Sequence, residues 1–114
     1  MRDDREKLLD ILEAIENIER RMPSSRDAFM DDELIQVWMV YHITVIGEAA
    51  SGVSSNTRTR FPDVPWTDIV AMRNVLVHQY FGVDPNEVWS TIEKDIPNLK
   101  GNITRILSLL DAAT

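Results

Sequence analysis

Apolar residues spaced three and four positions apart are the feature that most constrains the fold of this chain. Between Asp4 and Met22 they form one stripe, with charged residues on the remaining faces, which is the pattern of an amphipathic helix. The stripe consists of Leu8, Leu9, Ile11, Leu12, Ile15 and Ile18. Because proline cannot extend a helical ladder, we expect Pro23 to end this first helix.

A second helix is predicted to begin near Asp31 or Asp32, since either side chain can cap a first turn, and to run to about Ser51. Apolar residues cover most of its circumference between Val37 and Ile46, which indicates a central helix or a subunit interface. A buried strand is the competing interpretation of this β-branched segment. Its length of about twenty residues and its lack of alternation favour the helix.

The segment from Gly52 to Pro65 is rich in polar residues and carries two prolines, so it is predicted to be irregular. Pro65 suits the first turn of a third helix, because its missing amide costs nothing there. This helix is predicted from Trp66 to about Tyr80, with Gly82 as its terminator.

The segment that follows the third predicted helix contains a strong helix-start signal. Asp84 can cap a first turn, Pro85 follows at the first helical position, and Glu87 lies three residues after the cap. We predict a fourth helix from this point, and Pro97 should break or kink it before a last helix. That last helix has the apolar stripe Leu99, Ile103, Ile106, Leu107 and Leu110.

Short links between amphipathic helices predict an all-α fold, an antiparallel bundle of about five helices. With 114 residues the chain has material for one core, so residues 1–114 are predicted to form a single domain. The absence of cysteine excludes disulfides, thiolate nucleophiles and cysteine-ligated metals. The longest nearly apolar run, Val37 to Gly47, is shorter than the roughly 20 residues of a membrane helix. No membrane contact is therefore expected, and the predicted location is cytoplasmic.

The net charge of −7 excludes a broad basic surface of the kind that binds duplex DNA without sequence preference. Any contact with nucleic acid must be local, through a few arginines. Of the two histidines, His42 lies within the apolar helix and is interpreted as a packed or interface residue. Metal sites collect several imidazoles or carboxylates at fixed spacing, and the sequence has no such cluster. Neither a metal site nor a cofactor is expected.

Four polar side chains of different chemistry fall within eight residues at the predicted end of the third helix: Arg73, Asn74, His78 and Tyr80. Histidine transfers protons near neutral pH, and arginine binds phosphate with a planar fork of donors. These two groups suffice for phosphodiester transfer, in which an RNA 2′-hydroxyl attacks its own phosphate and the arginine stabilises the developing charge. The structural alternative is a surface salt bridge at Arg73 and a packed helix end at His78.

Helical periodicity does not complete this site within one chain. At about 100° per residue, Asn74 and His78 share one helix face, and Arg73 and Tyr80 share another. Arg73 and His78 lie roughly 140° apart by the same period. The long arginine side chain, a bend near His78 or a second copy of the chain would have to bring the two groups together.

The stretch from Pro65 to Phe81 resembles the signature of the HepT-like HEPN family, Arg-x4-His-x-Tyr with a polar residue directly after the arginine. Segments outside the motif are also similar to this family: Ile46–Ala50, Val83-Asp84, Val88-Trp89 and Asp95–Leu99. The resemblance spans essentially the whole chain, and every motif position is filled.

This resemblance implies a homodimer in which two motifs face one cleft, acting as a metal-independent endoribonuclease on RNA. It further implies the toxin of a toxin–antitoxin module whose antitoxin is a minimal nucleotidyltransferase. Arg73 would clamp the phosphate, His78 would serve as acid and base, and Asn74 would orient His78 or the phosphate. Tyr80 would accept AMP from the antitoxin, which would silence the enzyme. A non-catalytic HEPN module that holds a nucleotide or polymer for the nucleotidyltransferase is the alternative.

Overall fold

The fold is a bundle of helices, as predicted. The computed structural model describes residues 3–78 and 84–112, with the backbone alone for residues 74–78. In chain order the elements are α1 (Asp4–Arg20), α2 (Arg26–Met30), α3 (Glu33–Ser51), α4 (Ser55–Arg60), α5 (Trp66–His78), α6 (Pro85–Ser90), a π-helical turn (Thr91–Asp95) and α7 (Ile96–Ala112). No strand occurs within these two ranges, so the predicted all-α class is confirmed.

Acidic caps start the predicted helices where the sequence indicates them. The carboxylate of Asp32 accepts a hydrogen bond from the amide of Ile35 at 3.1 Å and begins α3. At α6 the carboxylate of Asp84 accepts from the amide of Asn86 at 2.9 Å, and Pro85 is the first helical residue. Each cap satisfies an amide that the helix itself leaves unpaired.

Contacts at both ends of α1 show that α3 runs antiparallel to it. Near the start of α1, the Lys7 ammonium donates to the Gly52 carbonyl at 2.7 Å. Near its end, the Trp38 indole donates to the Asn17 carbonyl at 3.0 Å. The order of the residues reverses between the two helices, so the predicted antiparallel packing holds for this pair.

The last helix is antiparallel to the first by the same criterion. Arg5 pairs with Asp111 at 2.8 Å, and Lys100 pairs with Glu19 at 2.9 Å. Fully buried side chains from α1, α2, α3, α5, the π-helical turn and α7 fill the space between the helices: Leu8, Ile11, Ile15, Ile18, Phe29, Met39, Ile43, Ile46, Ile69, Ile92, Ile96 and Ile103. The predicted stripe of α1 supplies four of these side chains, and the predicted stripe of α7 supplies Ile103.

Two short helices lie in segments without a helical pattern in the sequence. In α2, Ser25 caps the first turn by accepting from the Ala28 amide at 3.1 Å, and Phe29 is fully buried. In the segment predicted to be irregular, α4 begins at the cap Ser54. The Asp4 carboxylate accepts hydrogen bonds from the Ser54 amide at 3.0 Å and from the Ser54 hydroxyl at 2.5 Å. A partner fifty residues away in sequence therefore stabilises the start of α4.

Pro97 is predicted to break or kink the helix, and the structure shows no break there. The chain stays helical from Pro85 to Ala112, and the helix widens to a π-helical turn over Thr91–Asp95 directly before the proline. Proline removes one helical hydrogen bond and crowds the carbonyl four residues earlier. A wider turn at this position moves that carbonyl and lets the helix continue.

The second predicted helix, which is α3 in the structure, is central as its composition predicts, yet part of its surface is exposed. It packs mainly against α1 and α5 and also contacts α2 and α6. Leu34, Val37 and Tyr41 remain 82%, 65% and 62% exposed. Over residues 3–78 and 84–112, no helix has the length and apolar character needed to cross a membrane.

Candidate active site

The helix that carries the predicted motif is anchored at its first residue. The buried Trp66 indole donates to the Phe61 carbonyl at 3.0 Å, and the Trp66 amide donates to the Val64 carbonyl at 2.8 Å. The amide of Ile69 then donates to the Pro65 carbonyl at 3.1 Å. These bonds fix where α5 begins. They therefore also fix the position of Arg73 along the helix axis, two turns after Trp66.

Arg73 lies where α3 and α5 approach most closely. A Cβ atom added to Gly47 would collide with the Cβ of Arg73 and would lie 3.1 Å from its backbone nitrogen. Only a residue without a side chain allows this approach. Gly47 therefore places the base of the Arg73 side chain directly against α3.

The next residue of α3 pairs with the arginine itself. Nη1 of Arg73 donates to Oε1 of Glu48 at 3.2 Å. The Arg73 side chain is 27% exposed and that of Glu48 is 62% exposed, so the pair lies at the edge of the bundle. The guanidinium is therefore held at a surface that a polyanion can reach.

Cationic side chains hold the end of α3, and with it Gly47 and Glu48. The Arg58 guanidinium donates to the carbonyls of Ala50 at 2.8 Å and Val53 at 3.2 Å. The Lys7 ammonium binds the carbonyl of Gly52, as described above. Positive charge at a helix C-terminus satisfies unpaired carbonyls and opposes the helix dipole.

A groove of about 340 Å³ lies between α1 and the exposed side of α3, and Glu48 is one of its lining residues. Its walls are Lys7 and Asp10 from α1 and Tyr41, Thr44, Val45, Glu48, Ala49 and Gly52 from the α3 side. Glu48, the partner of Arg73, is thus shared between the groove and the arginine.

The structure describes the predicted site residues to different extents. Arg73 is described with its side chain, and Asn74 and His78 lie in α5, of which His78 is the last described residue. At a rise of about 1.5 Å per residue, five positions separate the backbones of Arg73 and His78 by about 7.5 Å along the axis. Tyr80 and the predicted terminator Gly82 lie outside the described residues.

His42 is a packed residue, as predicted. It is only 7% exposed and its ring contacts those of Trp38 and Tyr41, with centroids 4.5 Å and 4.9 Å away. Burial lowers the pKa of His42, the positive charge of Arg20 lowers it further, and Glu13 opposes the change. A neutral, enclosed imidazole of this kind suits packing better than proton transfer.

Across the part of the chain that the structure describes, no three His, Asp or Glu side chains lie close enough together to hold a metal ion. The partner of Arg73 that the motif does not reveal is Glu48, because their pairing spans twenty-five positions. One signal was available: Glu48 is the one charged side chain between Leu34 and Ser51.

The helical bundle carries Arg73 and, five residues later, His78 on α5, which agrees with the resemblance of the sequence to HEPN domains. A family model described as "Ribonuclease HepT-like" matches residues 11–106. The chain belongs to this HepT-like HEPN family.

Relatives from several organisms match most of the chain. "Probable ribonuclease HepT" of Thermococcus cleftensis is 35% identical over 106 residues, covering 92% of this chain and 96% of the relative. "Putative RNase MJ1380" of Methanocaldococcus jannaschii is 33% identical over 103 residues, covering 90% and 94%. "Putative RNase TTE0752" of Caldanaerobacter subterraneus is 37% identical over 90 residues, covering 79% and 80%. No solved structure matches the chain significantly.

Proposed function

We propose that this protein is a metal-independent endoribonuclease that acts in the cytoplasm as the toxin of a toxin–antitoxin module. The observation that carries the proposal is the anchored Arg73 guanidinium at the bundle edge, on the same helix as His78. Membership of the HepT-like family supports it, and relatives over most of the chain are named as ribonucleases.

The proposed chemistry needs only groups that this chain carries. The RNA 2′-oxygen forms a bond to the adjacent phosphorus while the bond from phosphorus to the 5′-oxygen breaks. A histidine takes the proton from the 2′-hydroxyl, and a protonated histidine gives one to the departing 5′-oxygen. Arg73 stabilises the charge on the phosphoryl oxygens, with Asn74 orienting His78 or the phosphate. The products are a 2′,3′-cyclic phosphate and a 5′-hydroxyl end.

The test is cleavage of defined single-stranded RNAs by the purified protein in the presence of EDTA. We expect fragments that end in 2′,3′-cyclic phosphate, at a rate that EDTA does not change. Fragments that appear only with added Mg²⁺, or that end in 3′-hydroxyl groups, would contradict the mechanism.

A non-catalytic module that holds RNA or a nucleotide for an associated nucleotidyltransferase is the second candidate. The net charge of −7 favours it, because an acidic protein gains little from general attraction to RNA. Binding of RNA without cleavage in the same assay would select this second function.

The proposal includes a homodimer with a shared cleft. Leu34, Val37 and Tyr41 lie three and four positions apart and form one exposed stripe on α3. The same face continues toward Glu48, so a second copy that covers the stripe would bring its own motif near Arg73. This arrangement would supply two histidines to one phosphate and would offset the 140° separation within one helix.

We predict that the protein sediments as a dimer at low micromolar concentration and that Val37→Glu converts it to a monomer with strongly reduced RNA cleavage. Placing a charge in an apolar interface leaves it buried and unpaired. Leu109→Glu is the matched control, since Leu109 is an exposed apolar residue of α7, 43% accessible, outside the stripe. A wild-type monomer that cleaves RNA would contradict both the interface and the shared cleft.

We further propose that a minimal nucleotidyltransferase antitoxin silences the enzyme by modifying Tyr80. The phenol oxygen attacks the α-phosphorus of ATP and pyrophosphate leaves, so the tyrosine gains AMP. The sequence predicts that the third helix extends to about Tyr80, and in a helix of that length Tyr80 would share a face with Arg73. The added phosphate can therefore pair with that guanidinium and keep it from RNA.

With the cognate nucleotidyltransferase, ATP and Mg²⁺, we expect the mass to rise by one or more AMP units and RNA cleavage to stop. Tyr80→Phe should resist modification and stay active under the same treatment. The chain has two tyrosines, so Tyr41→Phe is the matched control and should be modified like the wild type. Intact-mass spectrometry decides the outcome, and an adduct on any residue other than Tyr80 would place the switch elsewhere.

A further inference from the structure

Glu48 presents a carboxylate at the place where the proposed function requires a phosphate to bind. Its Oε1 accepts from Nη1 of Arg73 at 3.2 Å, and its side chain is more than half exposed. A negative charge here repels RNA and offsets part of the positive charge of Arg73. The residue is therefore unfavourable for simple electrostatic attraction of the substrate.

Stability does not account for the Glu48–Arg73 pair either. Ion pairs between exposed side chains contribute little to folding, because solvent screens them and two long side chains lose freedom. The α3–α5 contact at this height already rests on the close approach at Gly47. Removing the Glu48 carboxylate should leave the fold intact.

The geometry of the pair provides the remaining explanation. Arginine has a long side chain with many rotamers, and ordering such a chain on binding costs free energy. Gly47 fixes the Cβ of Arg73 against α3, and Glu48 holds one terminal nitrogen of its guanidinium. Both ends of the arginine side chain are thus fixed to α3.

We propose that Glu48 is a positioning residue that orients the Arg73 guanidinium before RNA binds. This inference rests on the proposed role of Arg73 in RNA cleavage. A guanidinium held in advance meets the phosphate without a further ordering step, which lowers the barrier of the chemical step. Glu48 itself does not touch the reacting atoms.

The kinetic test compares Glu48→Ala, Glu48→Gln and the wild type on one RNA. We expect kcat to fall about tenfold or more in Glu48→Ala, because a small misplacement of a catalytic group is costly. Glu48→Gln keeps an acceptor oxygen and should retain more of kcat. KM should stay unchanged or fall in both variants, since each removes a negative charge from the RNA site.

Glu19→Ala is the matched control. Glu19 also forms an exposed ion pair between helices, with Lys100 at 2.9 Å, but it lies on α1 and contacts α7. Its loss should leave kcat and KM unchanged. A Glu48→Ala variant with unchanged or higher kcat would overturn the proposal, as would a rise in KM at constant kcat.

A second measurement does not depend on activity. In protein labelled with ¹⁵N-arginine, the guanidinium signals of Arg73, assigned with Arg73→Lys, should show hindered rotation in the wild type and free rotation in Glu48→Ala. If the wild type cleaves no RNA, the proposed function fails, and these signals still test the positioning. If the Arg73 signals are the same in the wild type and in Glu48→Ala, the proposed positioning role of Glu48 is overturned.

Discussion

His78→Ala should lose RNA cleavage by about a hundredfold or more while it keeps the helix content and oligomeric state of the wild type. In the motif, His78 is the group that can both take and give a proton near neutral pH. In a shared cleft the substitution would also remove both histidines at once. Fragment yield from a defined RNA and growth inhibition on expression are the measurements.

The control for His78→Ala is His42→Gln, which removes the other histidine of the chain. His42 lies among aromatic rings and lines a groove with residues of α1, so its loss should leave cleavage intact when the protein is folded. Circular dichroism reports the fold of both variants. Wild-type cleavage by a folded His78→Ala protein would remove His78 from the mechanism.

Arg73→Lys should reduce kcat by roughly a hundredfold or more, even though the charge is kept. Lysine is a point charge with a flexible stem, and it cannot offer the two parallel donors that bind phosphate oxygens. The affinity for RNA should fall much less than kcat does, because the positive charge remains. Single-turnover kinetics together with a binding titration separate the two quantities.

Arg105→Lys is the matched control for the Arg73 substitution. Arg105 pairs with Asp63 at 2.6 Å and lies over the ring of Phe61, so it has a comparable role at another edge of the bundle. Its replacement should leave kcat unchanged. Wild-type turnover by Arg73→Lys would show that position 73 supplies general positive charge and no directed bonds.

The long helices and their caps could be predicted from the sequence because both depend on local spacing. The stripe of α1, the cap at Asp32 and the start signal at Asp84 each need only a few neighbouring residues. The short helix α2 has five residues, too few for a period to emerge. It persists because Phe29 packs on Trp89, with ring centroids 5.5 Å apart, which is a contact distant in sequence.

The same distinction applies to the candidate site. Arg73, Asn74, His78 and Tyr80 are visible in the sequence because they lie within eight residues. The partner of Arg73 could not be predicted from spacing, since Glu48 reaches it from another helix. Pro97 shows the limit of a local rule, which predicts a break or a kink where a wider helical turn lets the helix continue.

The close approach at Gly47 has a consequence for recognising inactive relatives. The added Cβ would meet the Cβ of residue 73, and every amino acid except glycine carries that atom. Glycine at 47 is therefore demanded by the packing of α3 on α5, whichever side chain follows at 73. A homologue that has lost its arginine should still keep this glycine, whereas it has no reason to keep Glu48. A relative that retains a glycine at position 47 but lacks the acidic residue at position 48 is therefore expected to keep the fold and to lack the RNA-cleaving activity.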